Sequence, residues 1–341
     1  MIRLAPQPMD TLADLQSAVQ KAIQLEFSTL PPYLYAVFTL PEGGNHAARS
    51  RISAIVREEM THMALACNIL NAIGGRPVVA DPAVVPVYPG PLPFDIGSEH
   101  GEPFNVSLLP FSKGAMAQAM QIEEPEERIV FPAAATALPA SFQTIGQFYA
   151  ALDEALGQLP PDAWVTPPAN QLDDHPFFAG ELFAVAGYPD ASNAIQRIVS
   201  EGEGTTKSPL DFEGDVAHYY RFEEIYRDRV LEKDSTVPEG FSWGERLGVD
   251  WEDVIPAIAD PGDHDFSNDP TAQAAQDACN RAFTAMLEEI QRAVTGEIGR
   301  LGNAVRAMFD LTMAARAALA LPLQGSDLSA GPAFRFRPDL V

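Results

Sequence analysis

Two stretches near the start of the chain carry apolar side chains at alternating steps of three and four. The first runs from Thr11 through Leu12, Leu15, Val19 and Ala22 to Glu26 and Leu30; the second passes through Ile52, Ile55, Glu59, His62, Ala66, Ile69 and Ile73 before Gly74–Gly75. Such steps keep one face of a 3.6-residue helix apolar, so they predict helices over about 11–40 and 47–74. Pro31–Pro32 falls inside the first and predicts a kink or break, because each proline lacks the N–H that a helix interior needs, with "YLYAVFTL" resuming the helix. Further helices are expected over about 114–122, 143–158, 190–203 and 215–232. A long last one, over about 271–320, carries a stripe at Phe283, Leu287, Ile290, Val294, Leu301, Val305 and Met308. Residues 77–111 are proline-rich and predict an irregular insertion, within which "FNVSLLPF" reads as a strand or extended arm. The sum is an all-α bundle that begins with an antiparallel helix pair; the last helix either closes the bundle or packs a homodimer.

Three residues on these apolar stripes are not apolar. Glu26 sits on the first, Glu59 and His62 on the second, so all three point inward. A buried carboxylate is costly unless it is paired. A divalent metal is one partner, since Glu-x-x-His puts both side chains on one helix face within reach of a single ion. An arginine such as Arg51 or Arg57 is the other, and Glu26 on the neighbouring stripe favours the metal. Carboxylate with imidazole suits Fe, Mn or Zn better than calcium. Later in the chain "IVSEGEGT" offers Glu203, on the face of Ile195 and Val199, with Glu201 as competitor. "AHYYRFEEIY" offers His218. Read from periodicity alone, these later residues also fit solvated glutamates and a core histidine. No second Glu-x-x-His occurs, which leaves a mononuclear site, an asymmetric dinuclear one, or a scaffold whose site has decayed. Tyr33, Tyr35, Tyr219 and Tyr220 read as packing aromatics, and His46, His100, His175 and His264 as surface residues.

Composition narrows the classes. The 341 residues are 46% hydrophobic, enough for a core, and carry a formal charge of −25. That charge argues against nucleic acid and anionic membranes as partners. No segment has the apolar length of a membrane span, and the N-terminus lacks the apolar stretch of a leader. Cys67 and Cys279 are the only cysteines, each inside a helical pattern, so no disulfide framework is expected and a reducing cytoplasm fits.

"LQSAVQKAIQLEFSTLPPYLYAVFTL", "ISAIVREEMTHMALACNILNAIGGRP" and "YPGPLP" resemble the ferritin-like domain of the iminophenyl-pyruvate dimer synthases, found in violacein and rebeccamycin biosynthesis and in stand-alone bacterial proteins. "TIGQFYAAL", "IVSEGEGT", "AHYYRF" and "AVRAMFDLTMAARAAL" are similar to its later segments. The resemblance implies one ferritin-like domain over 1–341, with the Pro-rich stretch as a crossover loop and an additional C-terminal helix. By extension it implies a metal site at Glu26, Glu59 and His62, matched further on by Glu203 and His218, holding one or two Fe or Mn ions. Gln147 stands where a glutamate is expected, which removes one acidic candidate. The implied activity is oxidative coupling of imines derived from an aromatic amino acid. A non-catalytic metal-binding or degenerate scaffold is the alternative.

Overall fold

The computed structural model describes residues 9, 11–93, 104–125, 144–173, 175–178, 180–205 and 208–341. Residues 94–103 of the expected insertion, and His100 with them, lie outside the described residues.

Helix α1 spans Leu12–Phe38 and α2 His46–Ala72. Thr11 caps α1 through a reciprocal pair of hydrogen bonds with Asp14. After α2, Gly74 adopts φ +73, the left-handed turn that ends many helices. Of the kink or break expected at Pro31–Pro32, the break does not occur: α1 runs through both prolines. The Ser28 carbonyl, which the missing N–H of Pro32 would have satisfied, accepts the Tyr88 hydroxyl at 2.8 Å. A tyrosine from the Pro-rich insertion thus replaces a lost helix bond, and Glu26, Thr29 and Tyr33 stay on one continuous helix. Within that insertion, strands β1 (Gly90–Pro91) and β2 (Asn105–Val106) pair antiparallel, which makes "FNVSLLPF" partly strand.

Four shorter helices follow: α3 (Lys113–Ile122), α4 (Ile145–Gly157), α5 (Tyr188–Glu203) and α6 (His218–Arg227). The stretch expected as helix to residue 232 stops earlier. Asp228 turns left-handed at φ 55, and residues 231–233 become β3, paired antiparallel with β4 (Phe241–Trp243). The single helix expected over 271–320 is two, α7 (Pro270–Val294) and α8 (Leu301–Leu319). Gly296, at φ +124, reverses the chain between them, and the two pack as a hairpin whose faces meet α1 and α2. The apolar stripe hid this break because Val294 and Leu301 are separated by seven residues, two helical turns. One apolar cluster links α1, α2 and the later helices to Phe334 near the C-terminus. No described helix is long and apolar enough to cross a membrane.

Asn68 on α2 ties down the connection between α4 and α5. Its side chain donates to the Leu172 and Phe183 carbonyls at 2.7 and 2.8 Å and accepts from the Leu172 N–H at 2.8 Å. Asn68→Ala strands these buried groups together, so a thermal or urea melt is expected to show a loss of about 3 kcal/mol.

Candidate metal centre

Six helices bring their polar residues to one point. From α1 come Glu26, Thr29 and Tyr33; from α2, Glu58, Glu59 and His62; from the cap of α3, Glu123. Tyr149 enters from α4, Arg197 and Glu201 from α5, and His218 with Arg221 from α6. Glu26, Glu59, His62, Glu123 and His218 are all at most 4% exposed. Their ligand atoms form two trios, Glu26–Glu59–His62 and Glu59–Glu123–His218, in each of which the atoms lie within 4.8 Å of one another. Glu59 belongs to both.

The two imidazoles are arranged alike. His62 turns Nδ1 inward, 3.5 Å from Glu26 Oε2 and 3.7 Å from Glu59 Oε1, while its Nε2 lies 2.8 Å from Glu201 Oε2. His218 turns Nδ1 inward, 2.7 Å from Glu59 Oε1 and 3.7 Å from Glu123 Oε2, with Nε2 2.9 Å from Glu58 Oε2. Each outer carboxylate is held in turn by an arginine. Arg197 Nε sits 2.6 Å from Glu201, and Arg221 Nη1 2.7 Å from Glu58. The inner carboxylates carry hydroxyls: Tyr149 donates to Glu26 at 2.5 Å, Tyr33 to Glu123 at 2.6 Å, and Thr29 to Glu59 at 2.8 Å. The rings of His62 and His218 stack with centroids 5.5 Å apart.

Electrostatics separate the outer shell from the inner one. Burial pushes Glu58 up, but His218 and Arg221 outweigh it and hold its carboxyl down at about 2. Burial likewise opposes the charge on Glu201, which His62 and Arg197 nevertheless pull below the usual carboxylate range. Both are therefore acceptors only, so the facing Nε2 atoms carry the protons. Glu59 goes the other way. Burial and the adjacent Glu123 and Glu26 push it to about 7, in spite of His218. Burial lowers His62, yet Glu201, Glu26 and Glu59 prevail and lift it to about 10. His218 is raised well above its ordinary value by Glu123, Glu58 and Glu59 against its burial. Without a metal, protonated imidazoles supply the positive charge that the three inner carboxylates require.

A divalent ion fits this arrangement. The buried His218 Nδ1 makes no hydrogen bond although Glu59 is 2.7 Å away, because the contact is misaligned. An imidazole Nδ1 directed at two carboxylates, with Nε2 fixed by an outer carboxylate, is the disposition of a histidine that gives up its inner proton to bind a metal. The donor set of imidazole nitrogen and carboxylate oxygen suits Fe, Mn or Zn. Arginine satisfaction of Glu59 is not found among the described residues: Arg51 binds Glu224 at 2.5 Å, and Arg57 approaches Glu181 at 3.8 Å.

Of the residues expected from sequence, Glu26, Glu59, His62 and His218 come together here. Glu203 stands apart from both trios. Its Oε1 accepts the Gly146 N–H at 2.6 Å, a seat that a Cβ on Gly146 would overlap, and it lines a cavity of about 10 Å³ with Glu26, Glu59, His62, Glu123 and Gly202. Glu201, the competing candidate, contacts the outer nitrogen of His62. Glu123 was missed because "QIEEPEE" looks like a solvated acidic run. The usable signal was its spacing from Met116, Ala119 and Met120, which extends the α3 stripe by one turn. Tyr33 bonds a carboxylate and is more than a packing aromatic. Tyr219 and Tyr220 pack edge to face, with centroids 5.0 Å apart. His46 and His264 are exposed, as expected, and His175 is half-buried.

A family model described as Ferritin-like matches residues 19–227, more than half of the chain and every residue named in this centre. The chain belongs to the Ferritin-like family. Among curated relatives of this Ferritin-like chain, the 2-imino-3-(indol-3-yl)propanoate dimerase of Chromobacterium violaceum is 24% identical over 84% of the chain and 28% of the relative. The dichlorochromopyrrolate synthase of Lentzea aerocolonigenes is 23% identical over 82% of the chain and 31% of the relative. The chain thus spans less than a third of the length of these proteins. A crystal structure of a ferritin-like protein from Caulobacter vibrioides shares the fold with a TM-score of 0.63, at 23% identity, over 92% of this chain and 97% of that one.

Proposed function

We propose that this Ferritin-like protein is a metal-dependent oxidoreductase with a dinuclear centre, in which one Fe or Mn ion is held by Glu26, Glu59 and His62 and the other by Glu59, Glu123 and His218. The observation that carries this reading is the pair of matching histidines, each with Nδ1 inward and Nε2 clamped by a carboxylate–arginine pair. Glu59, common to both trios, would contribute to both positions. Glu203, which lines the small cavity beside these residues but belongs to neither trio, is left out of this ligand set.

When bound, such ions supply one-electron redox chemistry toward dioxygen or peroxide and thereby toward an oxidisable substrate. The residues of the chain do the rest. Glu201 and Glu58 fix the imidazole tautomers, so the inner nitrogens are available without rearrangement. Tyr149 and Tyr33 each hold a proton at a phenol oxygen against a ligand carboxylate. Burial and the neighbouring carboxylates raise both phenols well above their ordinary range, so they remain donors at neutral pH. The narrow cavity beside Glu203 admits molecules of about the size of water, which keeps bulk solvent from the centre.

The name of one curated relative, a 2-imino-3-(indol-3-yl)propanoate dimerase, points to imines of aromatic amino acids as the substrate class. The test is to load the protein anaerobically with Fe(II), then add dioxygen with an aromatic α-imino acid generated in the cuvette. Oxygen uptake and a spectral change that both disappear in His62→Ala are expected. Stably bound metal with no redox change on any addition would favour a non-catalytic metal-binding protein.

A further inference from the structure

On α1, Phe27, Leu34 and Phe38 lie roughly a quarter to a third of a turn around from Glu26, with Leu30 between them and it. These side chains face the α7–α8 hairpin, not the carboxylates. Between them lies a chamber of about 210 Å³ walled by aromatic and methionine side chains, among them Phe27, Phe178, Phe283, Met63 and Met308. Interiors are normally close-packed, and an apolar void of roughly 150 Å³ already admits a benzene ring. Leu34, Phe38 and Thr312 also line a second, wider cleft of about 730 Å³, so the two spaces adjoin at these three side chains.

The charged residues of the wider part are Glu42, Arg49 and Arg316. Two guanidiniums beside an apolar floor stand out in a chain of net charge −25. Arg49 is anchored on the carbonyls of Val37, Leu40 and Pro41 at the end of α1. Its charge is disfavoured by burial and by Arg316, and favoured by Glu42. Glu42 reaches Arg316 at 2.6 Å but is 76% exposed, so this ion pair is weak and an incoming anion can replace it.

We infer that the two adjoining spaces open into one another and bind a small amphipathic carboxylate, its apolar body in the Phe27–Phe283 chamber and its anionic head between Arg49 and Arg316. The flat aromatic walls and adaptable methionines suit an apolar body without fixed polar contacts. Arg316 can take a carboxylate in the forked geometry that lysine cannot offer. The site lies across α1 from the carboxylate centre and does not depend on the metal reading.

The experiment is calorimetric titration of the full chain, metal-loaded and chelator-treated, with 3-phenylpropionate, octanoate and the neutral 3-phenylpropionamide. One saturable site is expected in both metal states, with a carboxylate bound at least roughly tenfold more tightly than the amide. Arg316→Gln should weaken it roughly tenfold, and Glu42→Gln, which removes the competing anion, should tighten it. Met308→Trp fills the chamber and should abolish binding while the circular dichroism spectrum stays native. Tighter binding of 3-phenylpropionate marks an aryl body and of octanoate an alkyl one; either supports the site. Absence of saturable heat with both carboxylates up to about 5 mM, equal affinity for acid and amide, or an unchanged Arg316→Gln would overturn it. If Met308→Trp does not fold, the two exposed charge variants decide the matter alone.

Discussion

Glu59→Gln is expected to lose both ions at once and, in the metal-free state, to be more stable than wild type at pH 8. The two effects have one cause. Glu59 is the carboxylate common to both trios, so its removal takes a donor from each position. Buried beside Glu123 and Glu26, it titrates at about 7, against an ordinary value of 4.5. A carboxyl raised on folding favours the native state while it is protonated. That contribution is complete below about pH 4.5 and is lost as the pH rises through 7. The metal-free wild type therefore gives up on the order of 3 kcal/mol across this window, and a glutamine does not titrate. Melts of chelator-treated protein at pH 8 should place Glu59→Gln above wild type, with the difference shrinking by pH 5. A variant that melts well below wild type at pH 8 without metal would make Glu59 a structural hydrogen-bonding residue.

The second large effect separates Glu123 from Glu203. Glu123→Ala is expected to drop the metal content from two ions per chain to about one, because Glu26, Glu59 and His62 remain a complete trio. Glu203→Ala should keep both, since that carboxylate is seated on the Gly146 N–H and belongs to neither trio. Elemental analysis of the two variants reads this directly. Loss of metal from Glu203→Ala with retention in Glu123→Ala would return the ligand role to the end of α5 and contradict the assignment.

Legibility in the sequence followed the regularity of the helices. Glu26, Glu59 and His62 lie mid-helix on α1 and α2, where periodicity fixes which way a side chain points. Glu123 and His218 lie at helix ends, on the cap of α3 and the first residue of α6, where periodicity gives little purchase. Glu58 was hidden differently. Its neighbour Glu59 satisfies the stripe, so Glu58 reads as solvated, and its partners His218 and Arg221 are some 160 residues away. The missing second Glu-x-x-His pointed to an incomplete centre. In the folded chain, its counterpart is assembled from a shared Glu59, a capping Glu123 and a His218 from three different helices. At Pro31–Pro32 the choice between kink and break was not legible for a related reason, because the hydroxyl that accommodates Pro32 belongs to Tyr88, outside any local window. The hairpin of α7 and α8 was masked by a stripe that keeps its phase across Gly296.

The central claim is that two imidazoles turn their Nδ1 atoms onto three buried carboxylates in order to hold two metal ions. The measurement that tests it most directly is the metal content of the protein after anaerobic loading with Fe(II) or Mn(II), for wild type, His62→Ala and His218→Ala side by side. The account predicts two ions per chain in wild type and about one in each variant, with the survivor in His62→Ala abolished by adding Glu123→Ala. No bound Fe or Mn in wild type after loading would contradict it. The inward glutamates and histidines would then be a hydrogen-bonded network within a ferritin-like fold.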